Sequence, residues 1–197
     1  MIRCQALNLT GILCCALLLA GCVAAHDRVA REDLLASWLA ALQPGSAAPD
    51  VSGSYLDLGD YTHEYSRGPG HLTRGRLTVL LFPETKPAIA ADHIRLVQHG
   101  ANQLEIAALT DGRVVASKTV PVETDRATGA VRLPRKNDFG AGGNLAAATD
   151  QSTAIILYKG NDGALYLQSK SLTVGVVGVV VPMKVSAENW GRWGATP

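Results

Sequence analysis

Side-chain chemistry needs the right residue types at the right spacing, and few positions in this chain offer both. Five histidines, His26, His63, His71, His93 and His99, are the natural metal ligands. His63-Glu64 lacks the second histidine four residues on that a zincin helix requires. His93 and His99 would share one face of a strand but stand about 20 Å apart along it, too far to share an ion. A set of His63, His71 and one of that pair is geometrically feasible, yet nothing in the spacing demands it, so no metal is expected. No Gly-x-Ser-x-Gly elbow frames a serine nucleophile. Gly140-Ala141-Gly142-Gly143 has the glycines of a phosphate loop without the Lys-Ser/Thr that should follow, and reads as a flexible loop. Arg132, Arg135 and Lys136 form a basic cluster beside it that could meet phosphates, though Asp138 is next to it and a solvated turn accounts for the pattern. With no catalytic constellation, the expectation is a protein that is not an enzyme and needs no cofactor.

Aromatic and apolar residues are the remaining candidates. Tyr61 and Tyr65 flank one loop, and Trp190 and Trp193 lie near the end of the chain. A terminal Trp pair anchors a last strand into a core or forms the rim of an apolar or carbohydrate site. The run from Val174 to Pro182 is too short and too β-branched to cross a membrane as a helix. It reads as a central strand buried on both faces, or else as the floor of an apolar pocket. A pocket of that kind would be lined by Leu165, Val176, Val179 and Trp190, with Tyr61, Tyr65 and Trp193 around it.

The elements that must position these residues are mostly strands. The chain has 197 residues, 47% hydrophobic and 18% charged, which is enough to bury a core and excludes wholesale disorder. A formal net charge of +1 removes the electrostatic case for a nucleic-acid binder. From Val51 onward, short runs with period-two alternation are separated by turn residues. They predict strands at Ser54–Leu58, Arg76–Phe82, His93–Gln98, Gln103–Leu109, Arg113–Val120, Ala130–Leu133, Thr153–Tyr158, Ala164–Ser169, Leu172–Val181 and Met183–Ala187. Asp111-Gly112 and Asn161-Asp162-Gly163 carry the residues that tight hairpin turns demand. Upstream, Asp27 to Leu42 reads as one amphipathic helix, with Leu34, Leu35, Trp38, Leu39 and Leu42 at three- and four-residue steps and Gln43-Pro44-Gly45 as its stop. That stripe would dock on the domain's own core, or against the membrane or a partner.

The first twenty-two residues say where the protein works. Arg3 precedes an apolar run from Leu7 to Ala20, which has the proportions of a secretory leader. The run closes in Leu19-Ala20-Gly21-Cys22, which resembles the lipobox of bacterial lipoproteins. That resemblance implies cleavage before Cys22 and acylation of its thiol. Loss of residues 1–21, with their single charge and three of the four cysteines, would leave 176 residues with seventeen basic against seventeen acidic side chains. Cys22, already used by lipid, would be the lone cysteine, which excludes disulfides, Cys–zinc sites and a cysteine nucleophile. Two or three acyl chains, at about 0.8 kcal/mol per buried CH₂, would hold the protein on a bilayer. Val23 rather than Asp after the cysteine resembles the pattern that sends lipoproteins to the outer membrane, facing the periplasm.

The whole layout is similar to small uncharacterised envelope lipoproteins of proteobacteria, a likeness that brings no activity with it. It rests on the lipobox, on Val51-Ser52-Gly53-Ser54-Tyr55 opening a β domain, and on a Val-rich strand ending in Pro182 before an aromatic tail. Gly53-Ser54-Tyr55 also faintly resembles the Gly-x-Trp that opens lipocalin barrels, with Tyr in place of Trp. The expectation is therefore an all-β fold, an antiparallel meander forming a small barrel or sandwich preceded by one short N-terminal amphipathic helix. Residues 1–21 would be the leader, 22–52 a lipidated tether and 53–197 the β domain. The expected function is a non-enzymatic interaction module of the outer membrane, with the membrane and an envelope protein as partners. The alternative is a carrier or sensor of a small apolar envelope ligand.

Overall fold

The computed structural model describes residues 33–42, 49–62, 72–85, 89–141, 148–177 and 181–196, with backbone alone at 72, 138–141, 148–149, 176–177 and 181–183. Two antiparallel sheets face each other across one core. The first has four strands, β1 (Gly53–Leu56), β4 (His93–His99), β5 (Gln103–Thr110) and β6 (Arg113–Pro121), in that spatial order. The second runs β3 (Leu72–Arg76), β2 (Leu58–Thr62), β12 (Val181–Trp193), β11 (Leu165–Val177), β10 (Ala148–Lys159), β8 (Ala130–Arg132) and β7 (Glu123–Asp125), with β9 (Lys136–Ala141) also paired to β10. Alternation along the strands sends Ile94, Leu96, Leu104, Ile106 and Ala108 inward from the first sheet. They meet Val131, Leu157, Leu165, Leu167 and Trp193 of the second in one cluster, which makes this a sandwich.

The meander expected from sequence is present in β4-β5-β6 and in β10-β11-β12. Asp111 and Gly112 both take positive φ, 50° and 72°, the conformation of a type I′ hairpin turn. Gly163, φ 75°, turns β10 into β11. Consecutive strands also pair in β2-β3 and β7-β8, while β1 with β4 and β2 with β12 are long-range pairs.

Several expected strand limits change. Ser54–Leu58 is two strands in two sheets, divided at Asp57. Ala164–Ser169 and the first part of Leu172–Val181 are one continuous β11, hydrogen-bonded along its length to β10 and β12. The Val-rich run is therefore the end of one hairpin arm and the start of the next. Burial on both faces fails at its first residue, Val174, which is 47% exposed; the side chains of 176–182 lie outside the described residues. Arg76–Phe82 is not a strand: Leu77–Leu81 form a short helix, α2. Positions 77 and 81 fall on one face under either period, and only Val79 tells the periods apart. Val79 is exposed while Leu77, Thr78 and Leu81 are buried. The helix is set from outside its own sequence, by Asp57, whose carbonyl accepts from Leu77 N–H at 2.8 Å and whose carboxylate accepts from Thr78 N–H at 2.7 Å.

Residues 33–41 form helix α1, packed through Leu34, Leu35, Trp38, Ala41 and Leu42 on Tyr158, Ala164, Tyr166 and Trp190 of the outer face of the second sheet. Leu39, expected in that apolar stripe, points to solvent instead. Residues 27–32 of the expected helix lie outside the described residues. Val51, fully buried, joins the main core.

Candidate functional site

The residues expected to line a pocket divide between two sides of the second sheet. Leu165 and Trp193 are opposite one another in register, both fully buried and facing the main core. Tyr61 packs beside Trp193, ring centroids 6.3 Å apart. Trp190 pairs with Gln168 on the outer face, where Tyr158 stacks on it at 5.8 Å and α1 covers it. Tyr65 and Val179 lie outside the described residues, as does the side chain of Val176, so four of the seven can be placed and they share no cavity. The two tryptophans are anchors of the last strand. Trp193 is held by its indole N–H on Gly75 O at 3.2 Å, and a Cβ at Gly59 or Gly191 would collide with its ring.

The outer anchor carries the most developed polar network. Glu188 accepts from Trp190 Nε1 at 2.9 Å and from Gln168 Nε2 at 2.7 Å. Burial works to raise its carboxyl, but these bonds and Lys170 outweigh burial and hold it below the ordinary range. Asp162 behaves alike. Burial raises it, while Arg192, the Ala164 N–H and the Tyr166 hydroxyl bring it below its usual value. Both networks tie side chains of this domain to one another; Glu188 and Lys170 also line the edge of a cavity of about 410 Å³. Inside the sandwich, burial pushes the Tyr61 hydroxyl up against hydrogen bonds to Ser169 and Asn189.

Three cavities gather where the pairing along β10 passes from β8 to β9. β8 pairs β10 at Ile156 and Leu157, and β9 pairs it from Ala148 to Thr153, leaving Ala154 and Ile155 between. Opposite them the chain reads Leu133-Pro134-Arg135. Leu133 N–H still reaches Ile155 O at 3.0 Å, but Pro134 has no N–H to donate and interrupts the ladder. Around this break are three neighbouring cavities of about 550, 410 and 400 Å³, and Arg135 lines all three. The 400 Å³ cleft enters the sandwich. Thr153, Ile155 and Ser169 on the inner face of β10 and β11 form one wall, α2 and Glu84 another, and Lys118 and Val120 of β6 a third. Leu80, Val120, Leu133 and Ile155 along it are half-buried and rest on the main core. Lys118 bonds Glu84 at 2.8 Å and lies 4.9 Å above the Phe82 ring.

The basic cluster Arg132, Arg135 and Lys136 thus stands at a break between two strands, not on a simple turn. Its sequence signal was Pro134 within an otherwise strand-like stretch; α2 and Lys118 could not be assigned to the same place from sequence. Gly140 and Ala141 belong to β9, and Gly142 and Gly143 lie outside the described residues. Of the histidines, His93 and His99 are on β4, with His99 3.3 Å from Glu105; His26, His63 and His71 lie outside the described residues. No group of three or more metal-ligating side chains occurs among the described residues. No helix among them is long and apolar enough to cross a membrane. Comparison with protein-family models, curated proteins and solved structures finds no match for this chain.

Proposed function

We propose that this protein is an envelope lipoprotein, anchored by acylated Cys22 at the outer membrane, that binds a small ligand without transforming it. The observation that carries the binding half is the 400 Å³ cleft between α2, β6 and β10. Its size falls in the range of about 300–1,000 Å³ usual for small-molecule sites, and its combination of apolar walls with a few charged groups is typical of them. The anchoring half rests on Leu19-Ala20-Gly21-Cys22. Ten residues lie between Cys22 and Asp33, the first described residue, and could reach no further than about 40 Å, so acylation would keep the β domain close to the bilayer.

Native mass spectrometry of protein taken from its own membranes, before and after denaturation, tests the binding half. A released mass of lipid or metabolite size at one per chain is expected; an identical bare mass in both states would overturn it. For the anchor, the wild type should carry acyl mass and a Cys22→Ser protein should leave the membrane fraction. A second reading, an interaction module for another envelope protein, is favoured by β6. This strand is an edge of its sheet, with Val114 and Val115 each 50% exposed. A stoichiometric protein partner in the same spectra, with no small mass released, would decide for it.

A further inference from the structure

Resting on the reading of the cleft as a small-ligand site, we propose that its ligand is a single-chain amphiphile with an anionic head. The chain lies between α2 and β10, and the head meets Arg135 at the mouth. The walls ask for an alkyl chain. Leu80, Val120, Leu133 and Ile155 are apolar, and Val79, 51% exposed at the rim, has no cover among the described residues. Apolar surface open to water in a concave site is stabilised by being covered, and each methylene buried there contributes about 0.8 kcal/mol.

The mouth asks for an anion. Lys118, Arg135 and Lys136 line it against one carboxylate among the described residues, Glu84. That carboxylate is already engaged: the Lys118 ammonium holds it below the usual range, and Lys136 adds to the effect. Arg135 is then the cation that both the cleft and the two grooves beside it share. A guanidinium presents two parallel N–H groups that fit a carboxylate or a phosphate oxygen pair, which an ammonium does not. The chain as a whole is nearly neutral, so the attraction is local to this mouth rather than a property of the surface. A carboxylate head and a phosphate head share this chemistry.

The test uses the chain made without residues 1–21, so that Cys22 stays unacylated and every described residue is retained. Sodium decanoate, decyl phosphate, 1-decanol and decyltrimethylammonium are titrated below their micelle concentrations by calorimetry. Decanoate or decyl phosphate should bind one per chain, and the ammonium amphiphile at least about tenfold more weakly. The preference between the first two tells a fatty acid from a phosphorylated lipid as the source. Shortening decanoate to octanoate should weaken binding by about three- to fourfold for each CH₂ removed. Arg135→Gln should lower decanoate affinity by about tenfold and leave 1-decanol unchanged. Ile155→Trp should block every probe. Should that variant melt early, Val79→Trp at the exposed rim makes the same test without touching the core. Equal affinity for all heads, unaltered in Arg135→Gln, would overturn the anionic head while leaving the cleft a ligand site. If no decyl probe binds, the ligand-site reading fails with it.

Discussion

The two long sides of the sandwich are closed in different ways. On one, the sheets are joined by continuous chain: β1 passes into β2 through Asp57, and residues 194–196 run beside β1, with Leu56 N–H on Gly194 O and Thr196 N–H on Ser54 O, each at 2.9 Å. Asp57, 1% exposed, accepts from Arg76 Nη1 at 3.0 Å as well as from Thr78 N–H. Tyr55 is fully buried, with its hydroxyl on Val51 O at 2.8 Å. On the other side the handover is broken. β6 has no further neighbour among the described strands and Pro134 interrupts the pairing to β10, leaving half-buried side chains around open space. The difference shows that the same inward alternation gives a sealed core where backbone bonds close the gap and a cleft where a proline prevents them.

Substitutions on the sealed side should therefore act on stability, and those on the broken side on binding. Trp193→Ala should have the largest effect, a loss of about 3–5 kcal/mol read by urea unfolding, since the glycines beside its ring cannot fill the space. Asp57→Ala should cost about 3 kcal/mol, because it strands the Thr78 N–H; the Arg76 guanidinium is half-exposed and can be rehydrated. A loss below about 1 kcal/mol for either would break the comparison. Tyr55→Phe, which leaves Val51 O without the hydroxyl, should lower stability by about 1–2 kcal/mol in the same assay.

A smaller effect is expected from acid. Asp162 and Glu188 both have carboxyls held below their ordinary values in the folded protein. Their contribution is complete above the unfolded values near pH 4 and is lost as pH falls through the folded ones. Thermal melting from pH 7 to pH 2.5 should show this decline, and Asp162→Asn should flatten part of it. An unchanged acid limb would show that the hairpin network does not stabilise the fold. Smallest of all, Arg135→Gln should move stability by no more than about 0.5 kcal/mol, despite its predicted effect on binding. A larger loss would make Arg135 part of the scaffold rather than of a site.

Hairpins were the most legible feature of the chain. Asp111-Gly112 and Asn161-Asp162-Gly163 stand where the structure turns, and the alternation in 94–96 and 104–108 names the inward face correctly. Such signals are local, carried by the two or three residues that must adopt the conformation. α2 was hidden because Leu77 and Leu81 satisfy helix and strand periods alike. The bond that selects helix comes from Asp57, some twenty residues earlier. The cleft was hidden for a similar reason. Pro134 is a local signal of an interruption, but which strand it interrupts, and that α2 and Lys118 face it, depend on pairings between residues far apart in the chain.

Composition and period-two patterning were enough to determine an all-β antiparallel fold with its tight turns, and left barrel or sandwich open, because alternation and turn geometry are properties of neighbouring residues. Only the tertiary structure decided that Trp190 and Trp193 anchor opposite faces of one sheet. It also decided that the Val-rich run spans the end of one hairpin arm and the start of the next, and that Arg135 stands over the open space. Each of these depends on strand order and register, which backbone hydrogen bonds between distant segments select and which no local window of the chain contains.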